Sequence, residues 1–316
     1  MPDDRPPAHD SLQQQVIDEF RARGGVVGGR FEGTPLLLLT TGGARTGRPH
    51  TTPATYARDG DRLVIFASNA GGPRNPDWYH NLLADPNVVV EIGEQGEVRT
   101  HLVLAEPLHG EERDRLYALQ AQRVPAYAEY QAMTSRRIPV VALRPVDLTG
   151  GADRVTAIGA QLTQVHQELR RALDDLRSRA DDLVAGRQAP ADGAHDGANN
   201  GAHDGHSLDG VLLEHCLSFC AALHMHHLRE DGGFTAFETE VPGVAPLVER
   251  LRREHRVVGH TLTRLRELVA RLGSTPGAAD AVTMRAELEQ LAVNLEEHFR
   301  YEEESLIPAL AAAAQA

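Results

Sequence analysis

Two kinds of hydrophobic periodicity divide the chain. Up to residue 145, short β-prone runs alternate with turn compositions such as TGGARTGRP, RDGD, ADPN and GEQG. A helical stretch, EERDRLYALQAQ, falls before the last of these runs. The pattern is typical of a small α+β or barrel-like domain. It predicts strands over residues 35–41, 52–57, 62–68, 87–92, 98–105 and 138–145.

After residue 152 the apolar positions repeat at helical spacing over long stretches. Four amphipathic helices are predicted, over residues 157–183, 211–231, 245–272 and 284–310, and together they favour an all-α four-helix bundle. Residues 186–207 repeat AHDG and contain little to bury, so we interpret them as a flexible loop inserted in the bundle. The predicted domains are therefore residues 12–148 and residues 152–312.

Composition narrows the possible chemistry. All 32 basic residues are arginine, which excludes lysine-dependent phosphate loops and Schiff-base catalysis. Residues 1–150 hold 16 arginines and 19 acidic residues, whereas the remainder holds 16 arginines and 26 acidic residues. The acidic second half argues against nucleic acid as a partner. It fits helices whose carboxylates hold a cation.

Nothing in the sequence predicts export or membrane insertion. The first ten residues, MPDDRPPAHD, lack the layout of a signal peptide, and the LLLL run at 36–39 is far shorter than the roughly 20 residues of a spanning helix. Cys216 and Cys220 lie four apart, which suits one face of a helix and not a disulfide framework. We expect a cytoplasmic protein.

A sequence segment that occurs twice indicates a metal site. Residues 226–234 read HHLREDGGF, and residues 298–306 read HFRYEEESL. Aligning them places a histidine and a glutamate four residues apart in both segments. Residues at this spacing share a helix face, so each pair can point at one atom. If two such helices pack together, their imidazoles and carboxylates converge. The pattern therefore predicts a two-metal site with ligands His226, Glu230, His298 and Glu302.

The other two helices offer further ligands. His166 and His255 each lie mid-helix beside apolar residues, so we expect both to face inward. His260, five residues after His255, points away by about 140° and is left out. His215 and His224 are weaker candidates. A single inward histidine is more often a core residue, but four helices each carrying one favour metal binding.

The segments HMHHLREDGGF, RREHRVVGH and EEHFRYEEESLIPAL resemble the helices of hemerythrin-like (HHE) domains. The resemblance covers residues 152–310 apart from the inserted loop. It implies a non-haem di-iron centre that meets dioxygen, nitric oxide or peroxide. It also implies the ligand set His166, His226, Glu230, His255, His298 and Glu302.

A glycine-rich segment in the first half, TTGGARTGRPHTTPATY at 40–56, joins two predicted strands. Glycine amides beside Arg45 and Arg48 suit an anion, although a solvated basic turn would look similar. Trp78, the only tryptophan, follows a Gly-Gly-Pro turn. An exposed aromatic here would suit stacking on a flat ring, and the alternative is a core side chain.

These segments, with RDGD, ADPNVVVEI, ERDRLY, PAYAEYQ and RRIPVVAL, resemble the deazaflavin-dependent nitroreductase family. The resemblance implies a split β-barrel that binds coenzyme F420, and catalytic Tyr127 and Tyr130 closing the pocket over the substrate. The implied F420-binding residues, to which Arg48 is added from the glycine-rich segment, are Arg45, Thr46, His50, Thr51, Thr52, Pro53, Ala54, Thr55, Phe66, Ala67, Ser68, Asn69, Asp77, Trp78, Tyr79, His80, Asn81 and Tyr127.

The expected function is that of an F420H2-dependent oxidoreductase, which transfers a hydride to a quinone or nitroaromatic acceptor and carries a di-iron bundle. Two alternatives stay open. One is a non-catalytic sensor of oxygen, nitric oxide or iron that is centred on the bundle, and the other is a split barrel that binds FMN. Split barrels often dimerise, so we expect a homodimer.

Overall fold

The computed structural model describes residues 8–146, 152–185, 208–241, 243–274 and 278–313. They divide into two compact units. The first contains the N-terminal residues together with Met225–Glu240, and the second contains the remaining helical residues. The predicted inserted loop, residues 186–207, lies outside the described residues. Among the described helices, none is long and apolar enough to cross a membrane.

Six antiparallel strands close into a barrel in the order β1-β2-β3-β6-β5-β4. Each predicted run forms one strand, with its ends displaced by a few residues, and the closed barrel confirms the predicted fold of the first domain. The strands are β1 Leu36–Gly42, β2 Pro49–Asp59, β3 Arg62–Phe66, β4 Asn87–Glu94, β5 Glu97–Leu108 and β6 Val140–Pro145.

Four helices accompany the barrel: α1 Ala8–Ala22, α2 Asp77–Ala84, α3 Gly110–Arg123 and α4 Ala126–Ala132. Helix α3 was predicted from its pattern, whereas α1 and α4 were not. Helix α1 explains why β1 is apolar on both faces. Leu37 and Leu39 point into the barrel core, while Leu36 and Leu38 pack against Phe20 and its neighbours on α1.

The second domain is helical, as predicted. Leucines and other apolar side chains from four helices share one core, and Cys216 and Cys220 lie in it as free thiols. The last helix is continuous through a π-helical turn. The elements are α5 Ala152–Val184, α6 Leu208–Glu240, α7 Ala245–Ser274, α8 Ala278–Tyr301, the π segment Glu302–Leu306 and α9 Ile307–Ala313.

Helix α6 is longer than the sequence predicts. The expected end at Asp231 precedes two glycines, yet the helix continues to Glu240. Each glycine costs about 1 kcal/mol relative to alanine in a helix interior. Phe234 and Phe237 are only 3% and 1% exposed, and burying two such side chains outweighs that cost.

Gly25 generates a stability prediction for the barrel. It has φ +92°, and an added Cβ would lie 2.3 Å from the Cα of Gly93. Gly33 has φ +70° with nothing within 4 Å of its Cβ position. Gly25→Ala should lower the free energy of unfolding by about 2–4 kcal/mol, because backbone strain and a clash add together. Gly33→Ala should cost about 1–2 kcal/mol from strain alone.

The measurement is urea denaturation of the full chain, followed by the fluorescence of Trp78. This tryptophan is the only one in the chain and is buried in the barrel core, so it reports on the barrel. Equal losses in the two alanine variants would contradict the close approach of Gly25 to β4.

Candidate functional site

Glu302 is the centre of the polar cluster in the helical core. Its side chain is fully buried, at 0% exposure, where α8 passes into the π segment. Its Oε2 lies 3.1 Å from Nε2 of His166 on α5. Its Oε1 lies 3.5 Å from Nε2 of His298 and 3.8 Å from Nε2 of His255 on α7. One carboxylate therefore presents both of its oxygens to imidazoles from three helices.

The second half of the repeated phrase lies on α6. His226 Nε2 is 3.1 Å from Glu230 Oε1, and the two side chains are only 8% and 9% exposed. Two groups of four residues could each hold a metal ion. Within each group, the four possible ligand atoms all lie within 4.8 Å of one another. One group is His227, Glu230, His255 and His298, and the other is His166, His226, Glu230 and Glu302. The structure thus brings together all six residues that the sequence singled out.

His227 is the residue that sequence reasoning missed. It is 5% exposed and belongs to the first of the two groups. The repeated segment pairs Glu230 with His226 at a spacing of four. His227 precedes Glu230 by three residues, and this spacing also places two side chains on one helix face. His260 and His215, which the sequence left out or ranked lower, are exposed.

The π segment begins at Glu302 itself. The Ile307 N–H donates to the Glu302 carbonyl, a bond that spans five residues. Pro308 follows, and its ring nitrogen has no hydrogen to donate to the carbonyl four residues earlier. A wider turn is the consequence, and such π turns are frequent at functional sites.

Two partly exposed carboxylates contact ligand histidines on the side that faces away from the cluster. Glu303 Oε1 is 2.9 Å from Nδ1 of His166, and Glu254 Oε2 is 2.9 Å from Nδ1 of His298. Burial would raise the pKa of Glu303, but hydrogen bonds from His166 and Arg170 hold it below its usual value. Burial lowers the pKa of His298, which favours the neutral imidazole, the form that can bind a metal.

The donor set suits transition metals. Five imidazoles and two carboxylates converge in a largely buried cluster. Magnesium and calcium prefer oxygen ligands alone, whereas imidazole and carboxylate together suit iron and its neighbours. A carboxylate with both oxygens turned toward imidazoles, as Glu302 has, can bridge two cations. These residues therefore fit a pair of iron ions.

In the barrel, the glycine-rich segment forms the turn between β1 and β2. Gly43 N–H donates to the Arg48 carbonyl at 2.8 Å, and Gly47 has φ +64°. An added Cβ on Gly43 would lie 2.9 Å from Thr46 Oγ1 and 3.2 Å from His50 Nε2. The turn is thus packed tightly, and the side chains of Arg45 and Arg48 are exposed on it. The charge and exposure fit an anionic cofactor tail.

Helix α2 packs against the barrel through buried side chains. Trp78 is 7% exposed and packs in the barrel core with Leu82 and Val88, which agrees with the alternative that it is a core side chain. Asn81 is also buried. Its amide donates to Thr41 Oγ1 and its oxygen accepts from the Ala44 N–H, both at 3.0 Å. Both residues therefore anchor the helix against β1 and the turn.

A cluster of aromatic rings and one hydroxyl pair lies where β2, β3 and α4 meet. Tyr127 is 6% exposed, and its hydroxyl is hydrogen-bonded to Thr55 Oγ1 on β2. Its ring centroid lies 5.3 Å from that of Phe66 and 5.6 Å from that of Tyr130. Burial raises the pKa of Tyr127, so its phenol keeps its proton. The structure brings these four predicted residues together.

The other predicted residues lie along the same elements. Thr51, Thr52, Pro53 and Ala54 pair with β1, and Thr51 Oγ1 lies 2.8 Å from Thr40 Oγ1. Ala67 and Ser68 follow β3, and Asn69 begins a 3₁₀ turn with φ +46°. On α2, Asp77 and His80 are exposed and Tyr79 is half-buried. The roles of all these residues in cofactor binding stay a prediction.

The barrel with its hydroxyl cluster and the helices with their imidazole cluster define a two-domain protein that joins a cofactor-binding barrel to a metal-binding bundle. Comparison with known proteins agrees. Residues 12–145 match the model of the F420H(2)-dependent quinone reductase family, and residues 157–310 match the hemerythrin HHE cation binding domain. The chain belongs to the F420H(2)-dependent quinone reductase family and carries a hemerythrin HHE domain after the barrel.

Relatives support this over the first domain. F420H(2)-dependent quinone reductases of two Mycobacterium tuberculosis strains, H37Rv and CDC 1551, are each 44% identical over 128 residues. The match covers 39% of this chain and 83% of each relative. A solved structure of an F420-H2 dependent reductase is 35% identical, covers 35% of this chain and 94% of its own, and has a TM-score of 0.32. The two families imply coenzyme F420 and two iron ions as cofactors.

Whether His227 is a metal ligand can be tested by measuring the metal content. His227→Ala removes an imidazole from one of the two ligand groups, so we expect less iron per chain after anaerobic loading and desalting. His260→Ala changes an exposed histidine of α7 and should leave the iron content unchanged. Elemental analysis gives both numbers. Full iron content in the His227→Ala protein would contradict a place for this residue at the metal.

Proposed function

We propose that the barrel catalyses reduction of a quinone by reduced F420, and that the helical domain binds two irons that meet dioxygen or a related small oxidant. The observation that carries the first part is family membership at 44% identity, together with the cluster of Tyr127, Thr55, Phe66 and Tyr130. The observation that supports the second part is the pair of four-residue ligand groups.

Reduced F420, when bound, supplies a hydride to the acceptor. A quinone that gains a hydride carries two new electrons and needs one further proton to become the hydroquinone. The oxidised cofactor has lost that hydride together with one proton, so the overall transfer is balanced. A nitroaromatic acceptor needs the same two-electron delivery, followed by loss of water. The tasks left to the protein are to orient the two rings and to manage the proton.

We assign the proton to Tyr127. Its phenol stays protonated because burial raises its pKa, and its hydroxyl is fixed by Thr55. The Tyr117 hydroxyl donates to the Tyr127 carbonyl at 2.8 Å and so steadies the backbone of α4. Tyr130, half-buried one turn further on, would cover the acceptor. A proton donor held in this way contributes about 100-fold or more to a proton-coupled reduction.

Arg45 and Arg48 would hold the cofactor tail. Both lie exposed on the turn between β1 and β2, and F420 carries a phosphate and a polyglutamate chain. Arginine suits this role because its planar guanidinium can donate two parallel hydrogen bonds to one phosphate or carboxylate. Thr46 and His50 lie so close to Gly43 that a side chain at this position would clash with them, and this restricts the shape of the turn.

The test of the whole proposal is an anaerobic mixing experiment. Iron-loaded protein is mixed with reduced F420 and a soluble quinone, and the absorbance of oxidised F420 is followed. We expect its rapid return, at a rate that scales with protein concentration. No return with a quinone, a nitroaromatic compound or dioxygen as acceptor would overturn the reductase assignment. Flavin fluorescence from the purified protein would point to FMN as the cofactor.

The role of Tyr127 gives a sharper prediction. Tyr127→Phe keeps the ring and removes the hydroxyl, so kcat for quinone reduction should fall about 100-fold while the Kd for F420 changes little. Tyr117→Phe makes the same chemical change in the same aromatic cluster, at a hydroxyl that donates to the backbone carbonyl of Tyr127. Equal losses in the two variants would show that packing, and not proton donation, explains the effect.

A further inference from the structure

Two series of side chains, each made of a histidine, a glutamate and an arginine, lead outward from the ligand cluster. In the first, Nδ1 of His166 lies 2.9 Å from Glu303 Oε1, and Arg170 Nη1 donates to the same oxygen at 3.0 Å. The Arg170 guanidinium lies over the ring of Phe299, 5.2 Å from its centroid. We name His166, Glu303 and Arg170 the first arm.

The second arm is built the same way from α7 and α8. Nδ1 of His298 lies 2.9 Å from Glu254 Oε2, and Arg250 Nε donates to Glu254 Oε1 at 2.8 Å. The Arg250 guanidinium lies over the ring of Tyr301, 3.6 Å from its centroid. Both arms therefore run in the order imidazole, carboxylate, guanidinium and aromatic ring.

The arms share their geometry at the ligand end. Both imidazoles are 0–1% exposed and turn Nε2 toward Glu302, at 3.1 Å for His166 and 3.5 Å for His298. Both outer carboxylates are 27–29% exposed and so lie at the boundary with solvent. Each histidine thus spans from the buried carboxylate to an outer one.

From this geometry we infer that Glu303 with Arg170, and Glu254 with Arg250, are positioning residues for the metal centre. The inference rests on the metal-binding part of the proposed function. A neutral imidazole has one N–H, and an ionised carboxylate can only accept. Each outer glutamate therefore fixes the proton on Nδ1 and leaves the lone pair of Nε2 directed into the ligand cluster.

The arginines complete each arm. A carboxylate held by a guanidinium stays ionised and cannot swing toward the cations in the core. The aromatic ring under each guanidinium limits the motion of the arginine in turn. Outer partners of this kind also raise the basicity of the ligand imidazole, and their loss typically weakens metal binding about 10–100-fold.

A purely structural role for these ion pairs would look different. Surface salt bridges contribute little to stability wherever they lie. The same helix pairs carry other Arg–Glu bridges that touch no histidine. Arg177 donates to Glu289 between α5 and α8 at 2.7 Å, and Arg264 donates to Glu287 between α7 and α8 at 2.8 Å. These two bridges are matched controls for the two arms.

The experiment compares four full-length variants with the wild type. Glu303→Gln and Glu254→Gln alter the arms, and Glu289→Gln and Glu287→Gln alter the control bridges. We measure the affinity for Fe(II) by anaerobic competition with a chromophoric chelator, and the Tm of the metal-free protein. Iron affinity should fall about 10–100-fold in the arm variants and less than threefold in the controls, with similar Tm values throughout.

Two outcomes would overturn the inference. One is an equal loss of iron affinity in arm and control variants, and the other is an affinity that simply follows the Tm. Should either arm variant fail to fold, Arg170→Gln against Arg177→Gln gives the same comparison without touching a carboxylate. If the wild type itself binds no iron, the proposed function of the bundle fails instead, so the two failures are distinguishable.

Discussion

The helical domain depends on burying one carboxylate. Glu302 is fully buried, and three imidazoles face its two oxygens. Moving an isolated carboxylate into such a core costs several kcal/mol, and neutral imidazoles only partly offset this cost. Cations at the same place would offset it fully. The stability of the cluster therefore depends on the cations that it binds. This dependence distinguishes a metal site from an ordinary buried polar group.

Pro308 explains the local irregularity of the helix that carries this carboxylate. An ordinary α-helix would continue unchanged from His298 through Pro308, but the proline cannot complete the regular bond pattern. The π turn accommodates it at Glu302–Leu306, directly where the buried carboxylate sits. The ligand histidine lies in regular α8 just before the turn, and so the spacing of four between His298 and Glu302 is preserved.

Much of this could be predicted from sequence because the signals are periodic. All six strands, four long helices and six residues of the ligand cluster follow from spacing and residue type. The failures have local causes. Helix α1 was missed because its burial depends on the outer face of β1. The position of Trp78 stayed open because a ring exposed for stacking and a ring in the core are both compatible with the same sequence. His227 was missed because the repeated segment pairs Glu230 with His226 at a spacing of four, although a spacing of three from Glu230 also brings side chains together.

The copy of the repeated segment at the end of α8 makes more of the contacts around the ligand cluster than the copy on α6. Within HFRYEE, residues 298–303, His298 and Glu302 point inward, Glu303 supports His166, and Phe299 and Tyr301 each lie beneath an arginine. Five of these six consecutive residues thus contribute to the ligand cluster or to its two arms. A chain without lysine suits this arrangement, because a guanidinium can donate to a carboxylate while its flat face rests on a ring, and a compact ammonium cannot do both equally well.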